Sequence, residues 1–117
     1  MMFTQTEKMM NTILELEANE MDCPNSATVD QNDLIKMVLM LDDGNDLDYI
    51  FSNYDDCSIY EVNGYTELAE QFCDEGLFGD IPEHLTNYID YEAMGRDLRY
   101  DYSEGKVDAT TYFYRYQ

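Results

Sequence analysis

Cys57-Ser58-Ile59-Tyr60-Glu61-Val62-Asn63-Gly64 is the stretch where the hydrophobic period of this chain changes. Apolar and polar residues alternate through Cys57–Val62, the pattern of a half-buried strand, and Asn63-Gly64 closes the run with turn chemistry. Upstream the period is helical. Thr4 or Thr6 can cap a first helix running to about Glu20, with Met9, Met10, Ile13, Leu14 and Leu16 on one face. Pro24 marks a loop, and Asp30 or Asn32 can cap a second helix, with Leu34, Ile35, Val38, Leu39 and Leu41 inward. Asp42-Asp43-Gly44-Asn45 reads as a turn, and a short third helix turns Leu47, Ile50 and Phe51 to the core.

Downstream, Thr66 is placed to cap a helix over Glu67–Glu75, with Gly76 where a left-handed C-terminal residue belongs. Gly79 and Pro82 mark a loop, and Asp90 can cap a helix from Tyr91 to about Tyr102. Gly105-Lys106 is the expected turn into a final strand, Thr110–Tyr116, rich in β-branched and aromatic residues. The fold class that follows is α+β: a helical N-terminal half, then a small antiparallel sheet with helices. The corresponding division is an acidic helical domain over 1–56 and an α+β domain over 57–117.

Charge is the unusual property. The 117 residues hold 26 acids against 6 lysines and arginines, for a net charge of −20. No lysine or arginine occurs between Lys36 and Arg96, a stretch with 15 carboxylates. Residues 96–117 balance Asp97, Asp101, Glu104 and Asp108 with Arg96, Arg99, Lys106 and Arg115. A single-sign surface destabilises the compact state and repels nucleic acid and anionic membranes, so basic partners are implied. With 16 aromatic residues, 11 of them Tyr, the chain has the means to fold, which acidic disordered tails lack. Charge kept for solubility is usually mixed in sign. Cys23, Cys57 and Cys73 are odd in number and widely spaced, which fits reduced thiols in a cytoplasm. No signal peptide or membrane-length apolar run is expected.

The chemistry of a catalyst is not evident. Asp42–Asp48 looks calcium-like but lacks the ligand spacing and closing Glu of an EF-hand loop. His84 is the single histidine, and the cysteines contain no Cys-x-x-Cys, so a zinc site is a weak reading. No phosphate-binding loop, dinucleotide fingerprint or Gly-x-Ser-x-Gly elbow occurs. The expectation is a non-enzyme without cofactor or metal, acting through its charge. Twenty charges correspond to roughly 34 Å of duplex DNA, and a DNA-binding cleft recognises much of its ligand through phosphates.

One segment carries more than composition. Glu75-Gly76-Leu77-Phe78-Gly79, Ile81-Pro82 and Tyr88-Ile89-Asp90-Tyr91-Glu92-Ala93 lie within a stretch, Gly64–Leu98, that resembles the ArdA antirestriction family. The ending Tyr112-Phe113-Tyr114-Arg115-Tyr116 is similar to that family's closing strand. The likeness is strongest over 57–117, and the helices of 1–56 resemble the family's central helical domain more loosely. The resemblance implies an elongated DNA-mimic dimer, carried by phages, plasmids or transposons, that blocks type I restriction–modification enzymes by occupying their DNA site. Relative to that family the chain is expected to lack an N-terminal α/β domain, which opens the alternative of an anti-CRISPR mimic against a Cas effector. A different class of reading is an acidic chaperone or adaptor for a basic DNA-binding protein.

The expected partner-binding carboxylates are Asp42, Asp43, Asp46, Asp48, Asp55, Asp56, Glu67, Glu70, Asp74, Glu75, Asp80, Glu83, Asp90 and Glu92. A homodimer is expected through the neutral end, at Tyr100, Tyr102, Tyr112, Phe113, Tyr114 and Tyr116, because like-charged bodies resist contact elsewhere. The alternative is that both faces of the final strand are filled within one chain.

Overall fold

A computed structural model describes residues 3–116 other than Phe78, Asp80 and Ile81, and only the backbone of Thr86. Five α-helices and three strands follow in the order α1 (Gln5–Ala18), α2 (Gln31–Asp42), α3 (Leu47–Asn53), β1 (Ser58–Tyr60), α4 (Tyr65–Asp74), α5 (Tyr91–Leu98), β2 (Ser103–Val107) and β3 (Thr110–Arg115). A 3₁₀ helix spans Glu83–Tyr88. The molecule is α+β, as the change of period predicts, and measures 59 × 29 × 23 Å.

Local chemistry explains most of the helix starts. Thr4 accepts from the Glu7 N–H, and Asp46 and Asp90 accept from Tyr49 and Ala93. Asp30 and Asp33 cap α2 reciprocally, each side chain accepting from the other's backbone N–H. At α4 the expectation fails. The helix begins at Tyr65, one residue before Thr66, and Gly64 holds the cap position without a side-chain bond. Glu67 reaches back instead to accept from the Asn63 N–H at 3.1 Å. Gly76 adopts φ +75, the left-handed close expected after α4.

The sheet has the order β1-β3-β2, antiparallel throughout. Ile59 pairs with Tyr114 and Tyr60 with Phe113, while on the other side Ser103 pairs with Tyr114 and Val107 with Thr110. The turn between β2 and β3 is Asp108-Ala109, at φ 52 and 71, the positive pair that a two-residue hairpin of this hand requires. Gly105-Lys106, expected as the turn, lies inside β2. Gly105 serves packing there: a Cβ on it would sit 2.6 Å from Leu39 Cδ2 of α2. β1 is three residues long, shorter than the alternation suggests, and α5 ends at Leu98, a turn earlier than expected.

The two faces of the sheet carry separate apolar clusters. On one face Tyr112, Tyr114, Tyr116, Ile59 and Val107 meet Met9, Ile13, Leu34, Ile35, Met37, Val38, Leu39, Met40 and Ile50 of α1–α3. On the other, Phe113 and Tyr60 meet Val62, Tyr65, Leu68 and Phe72 at α4, with Leu98 and Tyr102. The first cluster thus draws on both halves of the sequence. Leu14 and Leu41, expected inward, are 46% and 45% exposed, because each lies past the edge of its helix's buried stripe. α4 and α5 pack closely: a Cβ on Gly95 would lie 2.8 Å from the Tyr65 carbonyl carbon.

Candidate partner-binding surface

Every described carboxylate of the expected set is exposed: Asp42, Asp43, Asp46, Asp48, Asp55, Asp56, Glu67, Glu70, Asp74, Glu75, Glu83, Asp90 and Glu92. Asp80 lies outside the described residues. The set divides by what else its members do. Asp46, Asp90 and Glu67 hold helix N-termini, and Asp43 accepts from the Tyr116 hydroxyl. Asp42, Asp48, Asp56, Glu70, Asp74 and Glu92 make no side-chain hydrogen bond or ion pair among the described residues. A partner meeting these six breaks no side-chain hydrogen bond of the fold, although Asp48 and Glu92 also lie in the first turns of α3 and α5.

None of the six lysine and arginine side chains forms an ion pair with a described carboxylate. Arg99 instead lies over the Tyr65 ring at 5.6 Å, and Arg115 over Tyr102 at 6.0 Å. The negative field is therefore not cancelled locally. Spread along 59 Å, a net charge of −20 is one charge per ~3 Å. That is sparser than the one per ~1.7 Å of duplex DNA and close to the ~3.4 Å spacing of one strand.

Asp22, absent from the sequence-based set, joins Asp48 and Asp55 around an open cleft of about 450 Å³ between the 22–24 loop and α3, beside Phe51 and Tyr54. Only the fold brings Asp22 there, and no local pattern around it marks the position. Burial raises the Cys57 thiol to about 11, against a smaller lowering by Lys36, so this cysteine is a poor nucleophile. Cys23, Cys57 and Cys73 are all free thiols. Among the described residues no three His, Cys, Asp or Glu side chains group to hold a metal ion. No described helix is long and apolar enough to cross a membrane.

The tyrosines expected at a dimer contact are not one surface. Phe113 and Tyr114 are 1% and 6% exposed, buried in the chain's own two clusters. The reason is that helices lie on both faces of the sheet: α1–α3 cover the Tyr114 face and α4 the Phe113 face, while β1 and β2 take both edges of β3. Tyr102, Tyr112 and Tyr116 are half-buried against those clusters, and Tyr100 alone of the set is largely exposed, at 90%.

Sequence comparison adds a family to this geometry: the family model for the antirestriction protein ArdA matches residues 3–113. The chain belongs to the ArdA antirestriction family. The match spans α1–α3 as well as most of the sheet, so the family assignment covers the helical half too. No curated protein and no solved structure matches the chain. ArdA is a family of antirestriction proteins.

Proposed function

We propose that this ArdA protein inhibits a type I restriction–modification enzyme by lying in its DNA-binding site, with surface carboxylates standing where phosphates would. The observation that carries the reading is the exposure of all thirteen described candidate carboxylates on an elongated body with no lysine or arginine from 37 to 95. Lysines and arginines that hold a phosphate backbone accept carboxylates by the same charge-assisted hydrogen bonds. Contact through the exposed charges is distributed, so each is worth on the order of 1 kcal/mol or less.

Competition binding tests the proposal. Duplex DNA should displace the inhibitor from the enzyme, and added salt should weaken the complex. A ternary complex with inhibitor and duplex both bound at full affinity rules the mechanism out. Asp42→Asn, Asp48→Asn, Asp56→Asn and Glu70→Gln together should weaken binding strongly, while any one alone should be nearly silent. Those four are chosen because none makes a capping hydrogen bond or the Tyr116 contact. The two-copy arrangement stays part of the proposal, with Tyr100 as its exposed aromatic contact. Sedimentation as a single 13.7 kDa species speaks against it.

A further inference from the structure

We infer that the 3₁₀ helix Glu83–Tyr88 carries an apolar anchor, Leu85 and Tyr88 with Leu77 beside it in sequence, that docks on the basic DNA-binding surface of the target enzyme. The inference rests on the proposed function for the identity of that surface. Leu85 is 43% exposed and Tyr88 83% exposed. With about three residues per turn in a 3₁₀ helix, positions three apart eclipse, so the two side chains share one side of the helix. Leu77 follows the left-handed Gly76, with its N–H bonded to the Phe72 carbonyl at 3.0 Å. In that closing motif the residue after the glycine usually packs back on the helix it ends. Leu77 is instead 59% exposed. Scattered single apolar residues on a surface are ordinary; Leu85 and Tyr88 instead adjoin on one side of a helix, and Leu77 is a third exposed apolar side chain of the same stretch of sequence.

The charge of the stretch selects the occupant. Asp74, Glu75, Glu83 and Asp90 flank these side chains in sequence and are exposed, and no lysine or arginine lies within the segment. Apolar side chains set among like charges disfavour a second copy and favour a basic surface. Basic clefts present the aliphatic stems of lysine and arginine, against which Leu and Tyr side chains pack, and guanidinium groups lie well over a Tyr ring. A tyrosine among charged residues is also the composition at which binding energy concentrates. DNA's phosphate backbone offers no such apolar contact. The anchor therefore gives the inhibitor affinity that its competitor lacks and that salt does not screen.

The test is the salt dependence of binding to a type I restriction–modification enzyme, using the full chain. Leu85→Ala with Tyr88→Ala should weaken binding on the order of tenfold or more at every salt concentration, with an unchanged slope of log affinity against log salt. The four-carboxylate variant should flatten that slope. Both anchor side chains are exposed, so the circular dichroism and melting temperature of the double variant should match the parent. Unchanged affinity of the double variant at all salts overturns the anchor. So does a change in the free protein's sedimentation, which would assign the face to a second copy. If the parent binds the enzyme alongside DNA, the mimic reading falls. Loss of that binding in the double variant would then keep the anchor but overturn its place on the DNA-binding surface.

Discussion

The two faces of one three-stranded sheet are covered in different ways. Against α1–α3 the described buried side chains are mainly aliphatic and methionine, from Met9 to Ile50, and Met37, Met40, Ile13 and Ile50 are fully enclosed. Against α4 and α5 only Val62, Leu68, Phe72 and Phe113 are buried in the described cluster, and half-buried rings complete it. Tyr65 meets Phe113 edge-on at 4.5 Å, and Tyr60 meets Phe72 at 4.9 Å. A thick aliphatic core resists opening in proportion to the area it removes from water. A thin aromatic one depends on a few rings keeping their geometry. The α4–α5 side is therefore the one expected to open first, and it is also the side that leads into the exposed Leu77, Leu85 and Tyr88.

The strongest way to break this comparison is Phe113→Asp. Phe113 is 1% exposed, so the substitution puts a carboxylate with no partner into the second cluster. The cost of several kcal/mol is comparable to the whole stability of a small domain. Loss of the near-ultraviolet circular dichroism is expected; a native spectrum would mean that this cluster is not a core. Phe113 is expected from sequence at a contact between copies, but its burial makes the substitution a probe of folding.

Paired truncations sharpen the comparison. Leu39→Ala and Leu68→Ala each remove a fully buried side chain and should cost about 2–5 kcal/mol. They should differ in where the loss falls. Leu39→Ala should lower protection from hydrogen exchange throughout the molecule. Leu68→Ala should release α4 and α5 first, leaving α1–α3 protected. Equal loss in both would show one cooperative unit. Gly95→Ala attacks the same side more gently, since the new Cβ meets the Tyr65 backbone at 2.8 Å and must push α5 from α4. A cost of about 1–3 kcal/mol, read by urea unfolding, is expected.

How much of this was readable beforehand follows the range of each interaction. The α+β class, the caps Thr4, Asp30 and Asp90, and the close at Gly76 are written in a few adjacent residues, and they stand. Gly105 was misread because its reason is Leu39, distant in sequence, and a glycine beside a lysine looks like a turn from local chemistry alone. Phe113 and Tyr114 were misread as surface for a related reason. Whether a second layer of helices covers the other face of β3 is decided by the fold, and no local pattern states it. For the carboxylates, exposure was legible because a solvated acid is the default. Their division into helix caps and free groups was legible in part, at Asp90. The contact of Asp43 with Tyr116 needed the fold.

Asp108 separates a structural acid from those facing solvent. From the β2–β3 turn it accepts from the Gln5 N–H at 2.6 Å and the Thr6 hydroxyl at 2.7 Å, while its own N–H donates to Gln5 Oε1 at 2.8 Å. This joins the hairpin to the start of α1, where a carboxylate also meets the positive helix end. Asp108→Ala should cost about 1–2 kcal/mol, the range for a lost cap, measured by thermal unfolding. Asp56→Asn, lacking such bonds, should leave the melting temperature unchanged or raise it slightly by relieving repulsion. If the two behave alike, the division between structural and free carboxylates is wrong.

The smallest expected effect belongs to the first cluster's rim. Tyr116 donates its hydroxyl proton to Asp43 and accepts from Asn45 Nδ2 at 2.7 Å. Burial, then the bond to Asp43, pushes its ionisation from 10.0 up to about 12. A group whose folded value lies above its unfolded one holds its proton longer in the native state. Its contribution is complete below pH 10 and is lost as the pH rises towards about 12. Burial also raises Tyr112 and Tyr114, which add to the same alkaline slope. Tyr116→Phe should therefore flatten the decline in melting temperature over that window without abolishing it, and lower stability modestly at neutral pH through the lost Asp43 contact. Measured melting temperatures that fall equally steeply in the variant and the parent would show that the clasp opens before it titrates. The strand end would then be the first part of this thick-cored side to loosen, and the contrast between the two faces would have to be drawn at the helices rather than at the sheet.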